Sequence, residues 1–550
     1  MTVTSLQIHP ADNVGVALTN HSSGNRVGAG NEHITLLDDV PAKHKYAAKD
    51  FEVDDDVVMY GVLVGKAAAP IKKGELISTS NIRHASAEYR VGQRKTDWVR
   101  PDVSNWQHRT FMGYHRADGS VGTRNYWLLI PLVFCENKNV SLIHETLVKA
   151  LGYQRISSPY GGLVNELKRR YREGGVDETV WATSVNTTVA ELDDRLFEHV
   201  DGIKLLTHTL GCGGTKDDAR TLCGLLAGYI THPNVAGATV LSLGCQNAQI
   251  SLLEEEIAKR DAVFDKPLYL LEQQRIGNEA TLLEEAIKKT FAGLVQANTF
   301  VRKPAPLSKL CIGLECGGSD GFSGISANPA LGYASDMLVA LGASAVLSEF
   351  PELCGVEQEL SDRCVDEEIA SKFVNLMQTY QRRAEAVGSG FDSNPSAGNI
   401  RDGLITDAIK SAGAAKKGGT SPVVDVLDYP EKVTKPGLTL LCTPGSDIES
   451  TTAEVGAGAT VVVFTTGLGT PTGNPITPVM KVSTNTPLYE KMTDIIDLDA
   501  GTVIRGEERI EAAGERILEH IIRVASGEVI VKAEAGEHDD FIPWKRGISL

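Results

Sequence analysis

From Tyr126 onward, unbroken apolar runs alternate with segments whose apolar positions return every three or four residues. The runs are "YWLLIPLVF" (126–134), "DGIKLLTH" (201–208), "GATVLSLG" (237–244), "KLCIGLE" (309–315), "GASAVLSE" (342–349), "LTLLCTPG" (438–445) and "ATVVVFTT" (459–466). They predict strands. Segments 141–152, 250–260, 278–294 and 509–527 carry helical spacing. In the 250–260 and 278–294 segments acidic residues come early and basic ones late, as the helix dipole favours. The last segment predicts an amphipathic covering helix. Strands alternating with helices predict mainly parallel sheets.

The first 90 or so residues follow another pattern. Short strand-like pieces, "SLQIHP", "VGVALT", "HITLLDDV", "DVVMYGVLVGKA" and "GELIST", are separated by Asn, Gly, Asp and Pro, which predicts a small all-β domain. Between Tyr89 and His108 the chain turns polar and loses all periodicity. The predicted class is therefore α/β: an all-β domain (1–92), a linker (93–110), a central α/β domain (111–300) and a C-terminal α/β domain (301–550).

A chain of 550 residues exceeds what one core can serve, in keeping with several domains. The net charge of −17 and the absence of a Lys/Arg-rich tract argue against a nucleic-acid partner. No apolar run reaches the roughly 20 residues of a membrane span. The start, "MTVTSLQIHPADN", lacks a basic segment leading into an apolar one, so a cytoplasmic protein is expected. Nine cysteines without a disulfide-framework spacing are then expected as thiols, buried or ligating.

Five of these cysteines, Cys135, Cys212, Cys245, Cys316 and Cys442, fall at or near a predicted strand exit, the edge where open parallel sheets bind ligands. Each alone reads as a small buried hydrophobe. As a set they read as a thiolate-lined pocket for iron or an iron–sulfur cluster. No pair has CxxC spacing, and Cys223, Cys311, Cys354 and Cys364 lie off the pattern and are assigned to the core. The loop "ECGGSDGFSG" is either an ordinary glycine-rich turn or an anion site, with Ser319, Asp320 and Ser323 in it. Asn328 as N-cap and Pro329 as first helical residue would set a helix N-terminus directly behind it.

Other polar groups stand at similar places. Arg124, in "GSVGTRNY", offers a fork for a carboxylate or is a surface arginine beside a turn. His208, near Cys212, is either structural or a ligand or base. Glu349 and Glu352, in "SEFPE", sit at another strand exit with acid–base capacity. His44 in the β domain reads equally as a fold-stabilising residue.

"GYHRADGSVGTRNYW", "THTLGCGG", "HPNVAGATVLSLGCQNAQI", "GLECGGSDGFSGISANPALG", "SEFPELCGVEQ", "NPSAGN" and "FTTGLGTPTG", in this order, resemble the altronate/galactarate dehydratase family. "IHPADNVGVAL", "DVPAKHKYAAKD" and "MYGVLVGKA" resemble its N-terminal SAF (β-clip) domain. The resemblance spans nearly the whole chain. It implies a hydro-lyase that takes water from C2 and C3 of a sugar acid, leaving a 2-keto-3-deoxy acid. It implies dependence on Fe2+, with Mn2+ as a substitute or an iron–sulfur cluster as the alternative form. Altronate is the first substrate expected; galactarate or another 2-hydroxy acid is the enzymatic alternative, and a carbohydrate-binding scaffold the non-enzymatic one. The roles assigned under this resemblance are Cys135, Cys212, Cys245 and Cys316 as the pool of metal ligands, His208 and Glu349 as base and acid, and Arg124, Ser319, Asp320, Ser323 and Asn328 as substrate contacts. A homo-oligomer is expected. The chain departs from the family where altronate-type members carry His-x-His-Asn: here "STSN" places Ser78 and Ser80, with His84 just beyond. It also has Ala414 where those members have a cysteine.

Overall fold

The structure, a computed structural model, describes residues 3–29, 32–153, 160–173 and 195–549. The N-terminal region is all-β and antiparallel. Strands Ser5–Leu6, Val14–Ala17, Lys45–Ala47 and Leu76–Ile77 form one sheet; Asp56–Met59, Val62–Ala67 and Ile82–Arg83 form a second. From His84 to Arg109 there is neither strand nor helix. This stretch lies on the C-terminal domain, where Arg94 donates to the Ser361 carbonyl and Lys95 pairs with Asp362 at 2.7 Å.

The central sheet is parallel, in the order Gly202–Leu205, Tyr126–Pro131, Val235–Ser242, Leu268–Glu272. Its middle strands are wholly buried, as their unbroken apolar runs require. Trp127 sets the spacing of the layer behind it. A Cβ on Gly293 would come within 2.0 Å of the indole, and one on Gly237 within 2.5 Å, so only glycines let sheet and helix close on this ring. The helix Lys216–Thr231 has no clear polar face and escapes the periodicity test, because most of it is buried; a Thr215–Asp218 capping box starts it.

The C-terminal sheet has seven parallel strands: Val423–Leu427, Gly437–Leu441, Ser344–Leu347, Cys311–Cys316, Val461–Thr466, Val479–Ser483 and Leu498–Asp499, in that spatial order. Ile510–Ala525 is the expected covering helix. It buries Ala513, Ile517, Leu518 and Ile521, and Gly514 approaches the Ala330 carbonyl of helix Ala327–Ala340. A short antiparallel sheet, Val121–Gly122, Thr110–His115 and Lys303–Pro306, brackets the central domain at both of its ends.

One helix start differs from expectation. Ala327–Ala340 begins after Ser326, and Asn328 lies inside it. Asn328 makes no cap: its Nδ2 donates to the Gly413 carbonyl at 3.0 Å, and its Oδ1 accepts from Thr465 Oγ1 at 2.6 Å. The preceding residues Ser323–Ile325 form a 3-10 turn, and Ser326, next before the helix, makes no side-chain cap.

Candidate active site

The strands Cys311–Cys316 and Ser344–Leu347 are neighbours in the C-terminal sheet, and their carboxyl ends bring Cys316 beside Glu349 and Glu352. Cys316 Sγ lies 3.5 Å from Glu352 Oε2 and 3.7 Å from Glu349 Oε2. One donor atom from each of the three falls within 4.8 Å of the others, and all three residues are buried. Glu349 has φ +63°, a left-handed backbone that is uncommon outside glycine. Its amide is held by Thr443 Oγ1 at 2.8 Å, so the strand exit is fixed in this conformation.

Two lysines enter from a different part of the chain. Lys417 Nζ donates to Glu349 Oε2 at 2.7 Å and to Cys316 Sγ at 2.9 Å. Lys410 Nζ donates to Glu352 Oε1 at 2.6 Å and to Asn394 Oδ1 at 3.0 Å. Lys417 is 1% exposed, where an ammonium is tolerated only with charged partners. Both lysines follow from one local structure, the helix Asp407–Ala414 running into the 3-10 turn Ala415–Gly418.

The protonation pattern follows from burial and charge. Burial opposes ionisation of Glu352, but Lys410 and Lys417 outweigh it and hold its pKa below the ordinary value. Burial and the neighbouring Glu352 push Glu349 up. Glu315, behind it, is raised well above the carboxylate range by burial and by Glu349 and Glu454. Burial raises Glu454 to about 8. Burial also pushes the Cys316 thiol far up, against the pull of Lys417. The centre thus holds two ammoniums, the ionised Glu352 and the Lys417-paired Glu349. Glu349 Oε1 is buried and meets no amide, hydroxyl or ammonium donor among the described residues.

The rim is set by Asn394, Gly445 and Asp447. Asp447 lies against Gly317, where a Cβ would come within 2.3 Å of its carboxylate, and Gly445 lies against Glu352. Burial, with Glu349 and Glu352 nearby, raises Asp447 to about 7.

Several expected site residues are engaged elsewhere. Arg124 is 3% exposed and forks onto Glu534, with Nε and Nη2 at 2.6 and 2.7 Å, while Nη1 reaches the Thr123 and Val524 carbonyls. Every face of its guanidinium is occupied inside the protein, so none remains for a substrate. His208 is also spent: Nε2 lies 2.7 Å from the Pro131 carbonyl, and Nδ1 accepts from the Leu210 amide at 3.1 Å. Burial lowers it to about 4, which leaves a neutral strut in the central domain and not a base at this centre.

The glycine loop has a different task from the one expected. Asp320 is fully buried. It accepts from the Phe322 amide, Ser323 Oγ, Thr484 Oγ1 and Asn485 Nδ2, and pairs with Lys43 of the β domain at 3.1 Å. Ser323 is occupied by Asp320, and the Ser319 carbonyl by Asn399 Nδ2. A Cβ on Gly321 would reach the Lys43 carbonyl at 2.2 Å, and one on Gly324 would reach the Tyr60 hydroxyl at 2.4 Å. These glycines seat the β domain. Cys316, at the start of the loop, is its member in the centre.

The cysteine pool divides between domains. Cys135, Cys212 and Cys245 are exposed on the central domain, while Cys316 is buried in the C-terminal one. The sequence candidates Cys316, Glu349 and Glu352 meet here, and Lys410, Lys417 and Asp447, which the strand-exit pattern did not mark, lie beside them. The signal for the lysines was present in "KSAGAAKKGG", where lysines stand among residues small enough to be buried. Ala414 is buried in the same segment. Ser78 and Ser80 bond to each other at 2.7 Å near the surface.

Comparison with known proteins agrees along the whole chain. Residues 3–85 match the altronate/galactarate dehydratase SAF domain, residues 113–298 the second domain of D-galactarate dehydratase/altronate hydrolase, and residues 307–549 the C-terminal domain of D-galactarate/altronate dehydratase. An altronate dehydratase of Bacillus subtilis (strain 168) is 34% identical over 546 residues, covering 99% of each chain. One of Escherichia coli (strain K12) is 33% identical over 549 residues, again covering 99% of each. The galactarate dehydratase (L-threo-forming) of Escherichia coli (strain K12) is 30% identical over 529 residues, 95% of this chain and 93% of that one. With three domains matched in order and relatives matched over nearly their whole length, the chain belongs to the altronate/galactarate dehydratase family, the sugar-acid hydro-lyases.

Proposed function

We propose that this protein dehydrates altronate to the 2-dehydro-3-deoxy acid at the Cys316–Glu349–Glu352 centre. The observation that carries the reading is the pair of buried ammoniums set against buried carboxylates at the carboxyl edge of the sheet. Lys410 and Lys417 attract the substrate carboxylate and then stabilise the enediolate that forms as the C2 proton leaves. Glu349 is the base. Lys417 orients one of its oxygens, the other meets no donor, and its raised pKa makes it a stronger acceptor. Asp447, at the rim with a pKa of about 7, is the acid. It gives its proton to the C3 hydroxyl, which leaves as water, and the resulting enol becomes the ketone on protonation at C3.

A divalent cation fits this donor set: one sulfur and two carboxylates within 4.8 Å, with a buried Glu349 oxygen lacking a donor. Cys316, Glu352 and Glu349 Oε2, the oxygen 3.7 Å from the thiol, would hold Fe2+ or Mn2+ and leave Oε1 as the base; when bound, the ion supplies Lewis-acid polarisation of the substrate carboxylate. An iron–sulfur cluster on the exposed thiols Cys135, Cys212 and Cys245 is the alternative form of iron. The reading includes a homo-oligomer working in the cytoplasm.

The test is 2-keto-acid formation by anaerobically Fe2+-loaded protein supplied separately with altronate and galactarate. Turnover of altronate, abolished in Glu349→Gln, is expected. Turnover of galactarate alone reassigns the substrate, and turnover of neither overturns the reading.

A further inference from the structure

A second group of metal-ligating side chains lies outside the centre just described. His84, Cys354 and Asp407 each place one donor atom within 4.8 Å of the other two. They come from three parts of the fold. His84 follows the last strand of the β domain, Ile82–Arg83. Cys354 follows the 3-10 turn that carries Glu352, and Asp407 opens the helix that carries Lys410. Cys354 is 7% and Asp407 1% exposed, while His84 is half-buried and borders solvent.

Asp407 does not behave as a satisfied core carboxylate. Its Oδ1 accepts from Ser411 Oγ at 3.3 Å and the Cys354 thiol faces the carboxyl, but the buried Oδ2 meets no nitrogen or hydroxyl donor among the described residues. A buried carboxylate oxygen left in this state is costly and points to a missing partner. No lysine or arginine is paired with Asp407 among the described residues; Lys410, on the next turn, is committed to Glu352 and Asn394.

We propose that His84, Cys354 and Asp407 form a second cation site for a borderline divalent metal, Zn2+ being the type best matched. An imidazole nitrogen, a thiolate and a carboxylate are the donors Zn2+ takes, and the half-buried histidine leaves a side open for a water as fourth ligand. Tetrahedral Zn2+ holds its donors about 3.5 Å apart, so closure requires shifts on the order of 1 Å.

Binding displaces the protons of Cys354 and Asp407. The thiol, pushed far up by burial and by Asp407 and Glu357, and the carboxyl, raised to about 8 by burial, release up to two protons to solution. The net charge of the filled site is then zero: +2 from the metal, −1 from the thiolate and −1 from the carboxylate. Glu357 adds no charge to this balance when protonated, with its pKa raised to about 7 by burial. The consequence is mechanical. A metal here ties the end of the β domain to the segments that carry Glu352 and Lys410, and so braces the active site from behind.

The experiment uses the full chain, freed of metal by chelation and titrated anaerobically with Co2+ alone. Metal content and the sulfur-to-cobalt charge-transfer absorption are read together. Relative to the unmutated protein, Cys354→Ser and His84→Ala are each expected to lose one bound equivalent, and Cys354→Ser the matching share of the charge-transfer band. Cys316→Ser is expected to keep that equivalent. Zn2+ is expected to raise the unfolding temperature of the unmutated protein, with the part due to this site absent in Cys354→Ser. His84→Ala removes only a half-exposed side chain, which keeps the test open if Cys354→Ser folds poorly. Equal equivalents in the unmutated protein and in His84→Ala overturn the proposal, as does a band that persists at full strength in folded Cys354→Ser.

Discussion

Replacing Lys417 by methionine removes the ammonium that bonds Glu349 Oε2 at 2.7 Å and Cys316 Sγ at 2.9 Å, yet keeps most of the side-chain volume. Glu349 is then a carboxylate at 1% exposure with neither oxygen facing a cation. Breaking one side of a buried ion pair costs about 3–5 kcal/mol. Glu349 relieves part of this by taking up a proton, so the penalty depends on pH. Its folded pKa, already raised by burial and Glu352, rises further without Lys417. A carboxyl raised in the folded state weakens the fold progressively as pH climbs from the unfolded value toward the folded one, and the penalty is full above that. Lys417→Met is therefore expected to lie closest to the unmutated protein near pH 4.5 and to fall further behind it as pH rises to 8. For a domain of this size, about 3 kcal/mol corresponds to a fall of roughly 6–12 °C in the C-terminal domain's unfolding temperature. The double variant Lys417→Met/Glu349→Gln removes the stranded charge and is expected to recover most of that loss while remaining inactive. Differential scanning calorimetry at the two pH values, on the unmutated protein and both variants, checks this. A deficit that is equal at both pH values, or a double variant no more stable than Lys417→Met, refutes the charge assignment.

Asp447→Asn is expected to lower turnover by about 10²–10⁴-fold, the range for a lost general acid. In the unmutated protein activity should decline as pH rises through about 7, where Asp447 loses its proton, and the residual activity of the variant should lack that limb. Arg124→Met strands Glu534 beneath Tyr126. It should reduce stability by about 3–5 kcal/mol and leave KM for the sugar acid unchanged, whereas a large rise in KM with intact stability would restore Arg124 as a substrate contact. Gly321→Val places a side chain on the Lys43 carbonyl, and limited proteolysis should then cut faster within residues 86–108 as the β domain loosens. Unchanged cleavage would count against the seating role.

The local pattern of the chain already determined its architecture. Unbroken apolar runs can be satisfied only in strands covered on both faces, and they occupy the two parallel sheets. The same logic marked the strand exits, and Cys316, Glu349 and Glu352 were legible because they stand at two of them. Tertiary structure decided which polar residues were free to act, because a side chain's partner is seldom near it in sequence. Arg124 looked like a fork for a substrate until Glu534, 410 positions away, filled it. His208 looked like a base until two backbone groups took both its nitrogens. Asp320 looked like a ligand contact until the β domain supplied Lys43. Lys410 and Lys417 went the other way: unremarkable in a glycine- and alanine-rich segment, they become the cations of the centre because the fold lays that segment against two buried glutamates. A buried charge is fixed by the field around it, and that field exists only once the chain has folded.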